Sequence, residues 1–135
     1  MVAFRHSVEL GYNYLETDVH LTADGVVVAF HDDSLDRVTD SKGLISKLSW
    51  EQVAQARVGG TETIPRLADL LQAFPGVRIN IDPKEDSVVE ALAEVIQQHE
   101  ALDRVCIGAF SDNRLAICRN LLGAGLCTSA GPGAT

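Results

Sequence analysis

The stretch that decides the fold is YLETDVHLTADGVVVAFHDD, Tyr14 to Asp33. From Tyr14 to His20 every second residue is polar, and two of these are the carboxylates Glu16 and Asp18. Alternation of period two marks a strand with one polar and one apolar face. After Asp24-Gly25 the chain turns apolar and then ends on His31, Asp32 and Asp33. The link between the two runs is too short for a parallel crossover, which takes about a dozen residues, whereas Asp-Gly is a strong hairpin signal. With Asp24-Gly25 as a two-residue loop, Val19 faces Phe30 and Asp18 faces His31. Directly opposed side chains share a face, with Cβ atoms about 5 Å apart. Glu16 lies on that face as well, about 6.6 Å along the strand. A four-residue loop puts Glu16 in place of Asp18 opposite His31 and keeps both on its face. The expectation is a cluster of two carboxylates and an imidazole at one end of a sheet.

Working outward, elements alternate. Val2 to Leu10 has helical spacing and stops at Gly11. Ser49-Trp50-Glu51-Gln52 and Ser87-Val88-Val89-Glu90 read as capping boxes opening helices. Ile64 to Gly76 holds a helix starting near Pro65, and Arg114 to Leu122 another, capped by Ser111 or Asp112. Strands are expected at Val77–Asp82, Arg104–Phe110 and from Leu126. Four strands, near residues 14, 78, 104 and 126, suit a parallel sheet with covering helices, and Val26–His31 is a return strand. A (β/α)₈ barrel needs about 250 residues, so the 135 residues resemble roughly its first half without the opening strand. An open α/β sheet of this length fits the pattern equally well. Either way residues 1–135 read as one domain or part of a larger one.

Composition narrows the partners. The net charge is −8, with no cluster of Lys or Arg, so nucleic acid and anionic membrane surfaces are poor partners and a cation is a better one. Cys106, Cys118 and Cys127 are widely spaced among apolar residues with no CxxC, the pattern of reduced thiols in a cytoplasmic protein. Arg5 and His6 interrupt what a signal peptide would keep apolar. No apolar run approaches the ~20 residues of a membrane span.

A third segment adds to the polar cluster. Asn80, Asp82 and Lys84 alternate with Ile79 and Ile81, and polar residues at the C-terminal ends of parallel strands are where α/β folds build sites. Carboxylates that converge without an Arg partner suit a hard cation, Mg²⁺ or Ca²⁺, better than a closed zinc site. A cation beside Lys84 would receive phosphate oxygens, and a histidine beside both can move protons. The residues alone leave two readings open. One is a metal-assisted phosphoryl or ester hydrolase; the other is a surface hairpin with solvated acids and a satisfied histidine. His20 shares the face of Glu16 and Asp18 but lies toward the turn. His6 and His99 read as surface residues, Trp50 as packing at a helix start, and Gly59-Gly60 as a turn, since no Lys-Ser/Thr follows. Asp32 is placed to orient His31, and Arg37 to pair with Asp36 or Asp40.

The segment LETDVHLTADGVVVAFHDDSLDRVTDSKG resembles the glycerophosphodiester phosphodiesterase family, whose pattern is E-x-D-V-x-x-T-x-D-G followed by V-x-x-H-D-x-x-L-x-R-x-T and a Gly. IPRLADLL and NIDPK are similar to its I-P-x-L-x-E-x-L and N-I-E-x-K segments. The match is most specific from Glu16 to Gly43. The resemblance implies part of a TIM barrel and a metal-dependent phosphodiesterase that releases glycerol 3-phosphate and an alcohol. It implies Glu16, Asp18 and Asp82 as ligands of a divalent cation, Lys84 as a phosphate contact, and His31 as one of two catalytic histidines. Asp82 stands where the family usually has Glu. The family's other histidine, in an H-R-G strand, has no counterpart here, so this chain is expected to be inactive by itself. Rival implications are a non-catalytic relative that binds a cation or phosphodiester, and a phospholipase-D-like lipid cleaver on the same scaffold.

Overall fold

The computed structural model describes residues 14–108, 112–123 and 125–128. The expected Val2–Leu10 helix, His6 and the Ser111 cap lie outside them. A single five-stranded sheet runs in the order β2-β1-β3-β4-β5, with β1 Tyr14–Leu21, β2 Val27–Ala29, β3 Arg78–Pro83, β4 Val105–Ile107 and β5 Cys127–Thr128. Strands β1, β3, β4 and β5 are mutually parallel, and β2 returns antiparallel beside β1. The helices are α1 Trp50–Gln55, α2 Leu67–Ala73, α3 Val89–Gln98 and α4 Asp112–Leu122.

The alternation in β1 and β3 sorts the two faces. Leu15, Val19, Ile79 and Ile81 are buried with Leu67, Leu70, Leu92 and Ile96 of the helices in the main core. Each such side chain stabilises the fold by about 1.5–3 kcal/mol when fully buried. The opposite face then carries what remains of the period: Glu16, Asp18, Asn80 and Asp82. The parallel register sets Glu16 beside Asn80 and Asp18 beside Asp82. A second, smaller core holds the long connection after β2, with Val28, Leu35, Ile45, Val53, Ala56 and Ile64 buried together. This packing fixes the segment that starts at His31. On the edge of β2 away from β1, Val28 bridges to Arg66, and the Ala29 N–H donates to the Pro65 carbonyl at 3.0 Å.

Two local expectations need correction. The hairpin turns at Asp24-Gly25, but its register pairs Val19 with Ala29 and His20 with Val28, one residue away from the expected pairing of Asp18 with His31. The loop has three residues because Thr22 closes it. Its N–H donates to the Val26 carbonyl at 3.0 Å, its hydroxyl donates to Asp24 Oδ1 at 2.6 Å and accepts from the Val26 N–H at 2.9 Å. Gly25 supplies the left-handed residue, φ +85°, that this longer turn requires. The second correction concerns the helix caps. Ser49 and Gln52 form the reciprocal capping box, whereas the Ser87 box is not made. A 3₁₀ turn, Asp86–Val88, feeds the chain into α3. Ser87 is thereby drawn inside the turn, and its hydroxyl donates to Glu85 Oε2 at 3.4 Å.

Candidate active site

Asp18 is the centre of the polar face. Its Oδ2 lies 3.8 Å from His31 Nε2, and its Oδ1 lies 3.7 Å from Lys84 Nζ. Lys84 Nζ is also 2.9 Å from Asp82 Oδ2. Asp82 thus faces Asp18 across the parallel pair, with the ammonium between them. The hydrogen bond to Asp82 raises the Lys84 pKa from its ordinary value, with the charges of Asp82 and Asp18 acting in the same direction. Glu16, two residues back on the same face, is exposed.

His31 reaches Asp18 although the register nominally sets it opposite Thr17 and so on the other face. Strand β2 ends at Ala29; the Phe30 N–H still donates to the Asp18 carbonyl at 3.0 Å, and the chain then leaves the sheet. The imidazole is 79% exposed, and its direction is set from behind. Its Nδ1 is 2.8 Å from Asp32 Oδ1. Arg37 donates to both oxygens of that carboxylate, from Nε at 2.8 Å and from Nη2 at 3.0 Å. The Arg37 hydrogen bond, and after it the His31 one, hold the Asp32 carboxyl well below the usual carboxylate range. Asp32 therefore orients His31 as expected. Arg37 does not pair with Asp36 or Asp40: Asp36 is taken by the Gly43 N–H at 2.8 Å and Asp40 by the Arg57 N–H at 2.8 Å. The five-residue spacing from Asp32 to Arg37 carries this clamp, but a fork closing over a turn has no periodic signature.

His20 is buried, 2% exposed, between Glu85 and the His31 carbonyl. Sequence reasoning missed Glu85 altogether. His99 ends α3 half-buried. Trp50 sits at the start of α1 with the Arg66 guanidinium 5.7 Å above its ring. Cys106 and Cys127 are paired across β4 and β5; burial, then the hydrogen bond to Cys127, pushes the Cys106 thiol up to about 11, so it stays protonated and unreactive near neutrality.

Glu16, Asp18 and Asp82 offer carboxylate oxygens, and the place between Asp18 and Asp82 already holds a positive charge, that of Lys84. That donor chemistry fits a hard divalent cation. Among the described residues no three His, Cys, Asp or Glu side chains stand close enough together to grip an ion; Lys84 would have to yield its place. A cleft of about 430 Å³ lies over Glu16, Asp18 and His31 and is walled by Phe30, Val58, Ile64 and Pro65. A neighbouring one of about 440 Å³ is lined by His31, Lys84, His20 and Glu85. His31 stands between the two.

Residues 1–121 match the model of the glycerophosphoryl diester phosphodiesterase family. A protein of Mycobacterium tuberculosis described as a probable glycerophosphodiester phosphodiesterase is 42% identical over 99% of this chain and 51% of its own length. A lysophospholipase D of Homo sapiens is 32% identical over 73% of this chain and 36% of its own length. Among solved structures, a phosphodiesterase of Oleispira antarctica in complex with the product sn-glycerol-3-phosphate superposes with a TM-score of 0.82 at 30% identity, covering 89% of this chain and 55% of that one. The chain spans about half the length of the curated relatives it matches. With four parallel strands and this likeness, the fold is a partial TIM barrel.

Proposed function

The chain belongs to the glycerophosphoryl diester phosphodiesterase family, and on that premise we propose that its polar cluster is one side of a site that hydrolyses glycerophosphodiesters to glycerol 3-phosphate and an alcohol. The observation that carries this reading is the set of three contacts around one carboxylate and its neighbour: His31 on one side of Asp18, Lys84 on the other, and Asp82 across from it. His31 and Lys84 thus stand on either side of Asp18, which supports a reading with a proton-transfer group on one side and a cation on the other.

In this reading Lys84 turns its ammonium from Asp82 to a phosphoryl oxygen of the substrate and offsets charge that grows there during attack. His31 Nε2, the ring atom pointing toward the cluster, passes a proton to or from the alcohol oxygen. Asp32, ionised and gripped by Arg37, holds Nδ1 and so keeps Nε2 aimed. Glu16, Asp18 and Asp82 would hold a divalent cation, Mg²⁺ or Ca²⁺, which supplies Lewis-acid stabilisation of the phosphoryl group when bound. A second proton-transfer group is required for in-line displacement, and no described residue on this face stands ready for that part.

The apolar wall of the first cleft, with Phe30, Val58, Ile64 and Pro65, favours a second reading in which the glycerol moiety carries an acyl chain, as in lysolipids, so that the products are an acylated glycerol phosphate and the headgroup alcohol. The test is hydrolysis of glycerophosphocholine against lysophosphatidylcholine by a whole barrel bearing this segment, with and without chelator. The first reading predicts chelator-sensitive release of glycerol 3-phosphate; preference for the lysolipid supports the second. Binding of Mg²⁺ with no turnover of either substrate would instead mark a non-catalytic relative.

A further inference from the structure

His20 lines the second cleft, yet its side chain is buried. It is 2% exposed, on the same strand face as Glu16 and Asp18. Its Nε2 lies 3.2 Å from the carbonyl oxygen of His31. A carbonyl only accepts, so Nε2 carries a hydrogen and donates it. On its other side Nδ1 lies 2.9 Å from Glu85 Oε1, with one hydrogen between them. Glu85 follows Lys84 directly, at the point where β3 has ended. A single ring therefore bridges the two loops that carry the proton-transfer histidine and the phosphate-facing lysine.

We infer that His20 and Glu85 form a positioning pair that fixes the backbone of His31 relative to Lys84. The inference rests on the catalytic reading of His31 given above. The argument is geometric. Side-chain direction at His31 is set by Asp32 and Arg37, but that clamp moves with its own loop. Among the described residues two hydrogen bonds tie the loop's root at residues 30 and 31 back to β1: the Phe30 N–H to the Asp18 carbonyl and the His20 ring to the His31 carbonyl. Without the second, His31 can swing on the first like a door on one hinge. A misplacement of about 1 Å at a reacting group can cost on the order of 10²-fold in rate. Glu85 takes up the ring's other nitrogen, so the ring cannot turn away from His31 without leaving a buried polar atom unpaired.

The test measures kcat, KM and folded fraction for His20→Ala, His20→Gln, Glu85→Ala and the double variant His20→Ala/Glu85→Ala in a whole barrel bearing this segment, with His31→Ala as the reference. We expect His20→Ala to lower kcat roughly 10- to 100-fold per folded molecule with KM within about threefold. His20→Gln, whose amide N–H can reach the His31 carbonyl, should recover most of the loss. Glu85→Ala should lower kcat in the same way, and the double variant should be no worse than His20→Ala, since the two act through one bridge. If His20→Ala does not fold, the half-exposed Glu85 decides: unchanged kcat in Glu85→Ala overturns the pair. So does a His20→Ala protein that folds and turns over at the parent rate, or a loss that is purely one of folded fraction. Should His31→Ala itself turn over normally, it is the catalytic reading that falls, not this bridge alone.

Discussion

Asp32 illustrates how much of the site rests on single residues. It accepts from Arg37 twice and meets His31 once, and it is ionised well below the ordinary carboxylate value of 3.8. Because the folded value is depressed, the clamp contributes its full stability above the unfolded value and loses it progressively as pH falls from there through the lower folded one. The Asp32 carboxyl should therefore titrate below 3.8, read from its ¹³C shift. Titration near 3.8 contradicts the clamp. Arg37→Ala should return that titration toward the ordinary value and lower kcat, and its stability deficit should shrink as pH falls below 3.8. Lys84 has the opposite sign. Its pKa is raised above the ordinary 10.5 by Asp82, so its contribution is complete below 10.5 and disappears as pH rises through the folded value. Replacing it, as Lys84→Ala, should lower kcat/KM by roughly 10²-fold; a change under threefold would remove it from the site. At this scale the alternation was legible: it puts Glu16, Asp18 and Asp82 on one face of the sheet, where the register brings Asp18 beside Asp82. Their partners were not: Glu85 and Arg37 come from loops, and a loop leaves no period in the sequence by which to place a side chain.

At the scale of elements, the hairpin shows both the reach and the limit of pattern. Asp24-Gly25 marks the turn, and the alternation marks the strand, yet the register differs by one because a threonine hydroxyl and a left-handed glycine make the loop three residues long. His31 still reaches Asp18, since the strand ends before the register can carry it to the other face. The two glycines of this region carry a graded expectation. Gly25 has φ +85° with open space where a Cβ would stand, whereas at Gly43, φ +117°, a Cβ would come 3.3 Å from Leu48 Cδ1. Gly25→Ala should destabilise by about 1 kcal/mol, and Gly43→Ala by more, both read from denaturant midpoints at unchanged m. Equal losses would show that backbone strain alone decides. Among helices, the Ser49 box could be read from four letters, and Ser49→Ala should cost about 1 kcal/mol. The Ser87 box has the same S-x-x-E/Q pattern and fails, because the 3₁₀ turn before α3 moves the helix start past it.

For the molecule as a whole, strand-helix alternation announced a parallel sheet with one return strand, and the sheet has that order. Alternation could not choose between a barrel and an open sheet, because adjacent β-α units look alike in both; the structural likeness to phosphodiesterases decides it. None of the helices in the described residues is long and apolar enough to cross a membrane. The acids gathered on one face give the cation proposal its own check: Glu16→Ala should weaken stabilisation by Mg²⁺ or Ca²⁺ relative to the parent, and equal stabilisation would remove Glu16 from the ligand set. The central claim is that His31 moves the proton on a face whose carboxylates hold the cation. Its most direct measurement is the rate of glycerophosphocholine hydrolysis by a whole barrel bearing this segment and by its His31→Ala variant, with cation affinity measured on both. The account predicts a loss of at least about 10²–10⁴-fold at unchanged cation affinity. A His31→Ala enzyme that turns over within threefold of the parent would contradict it.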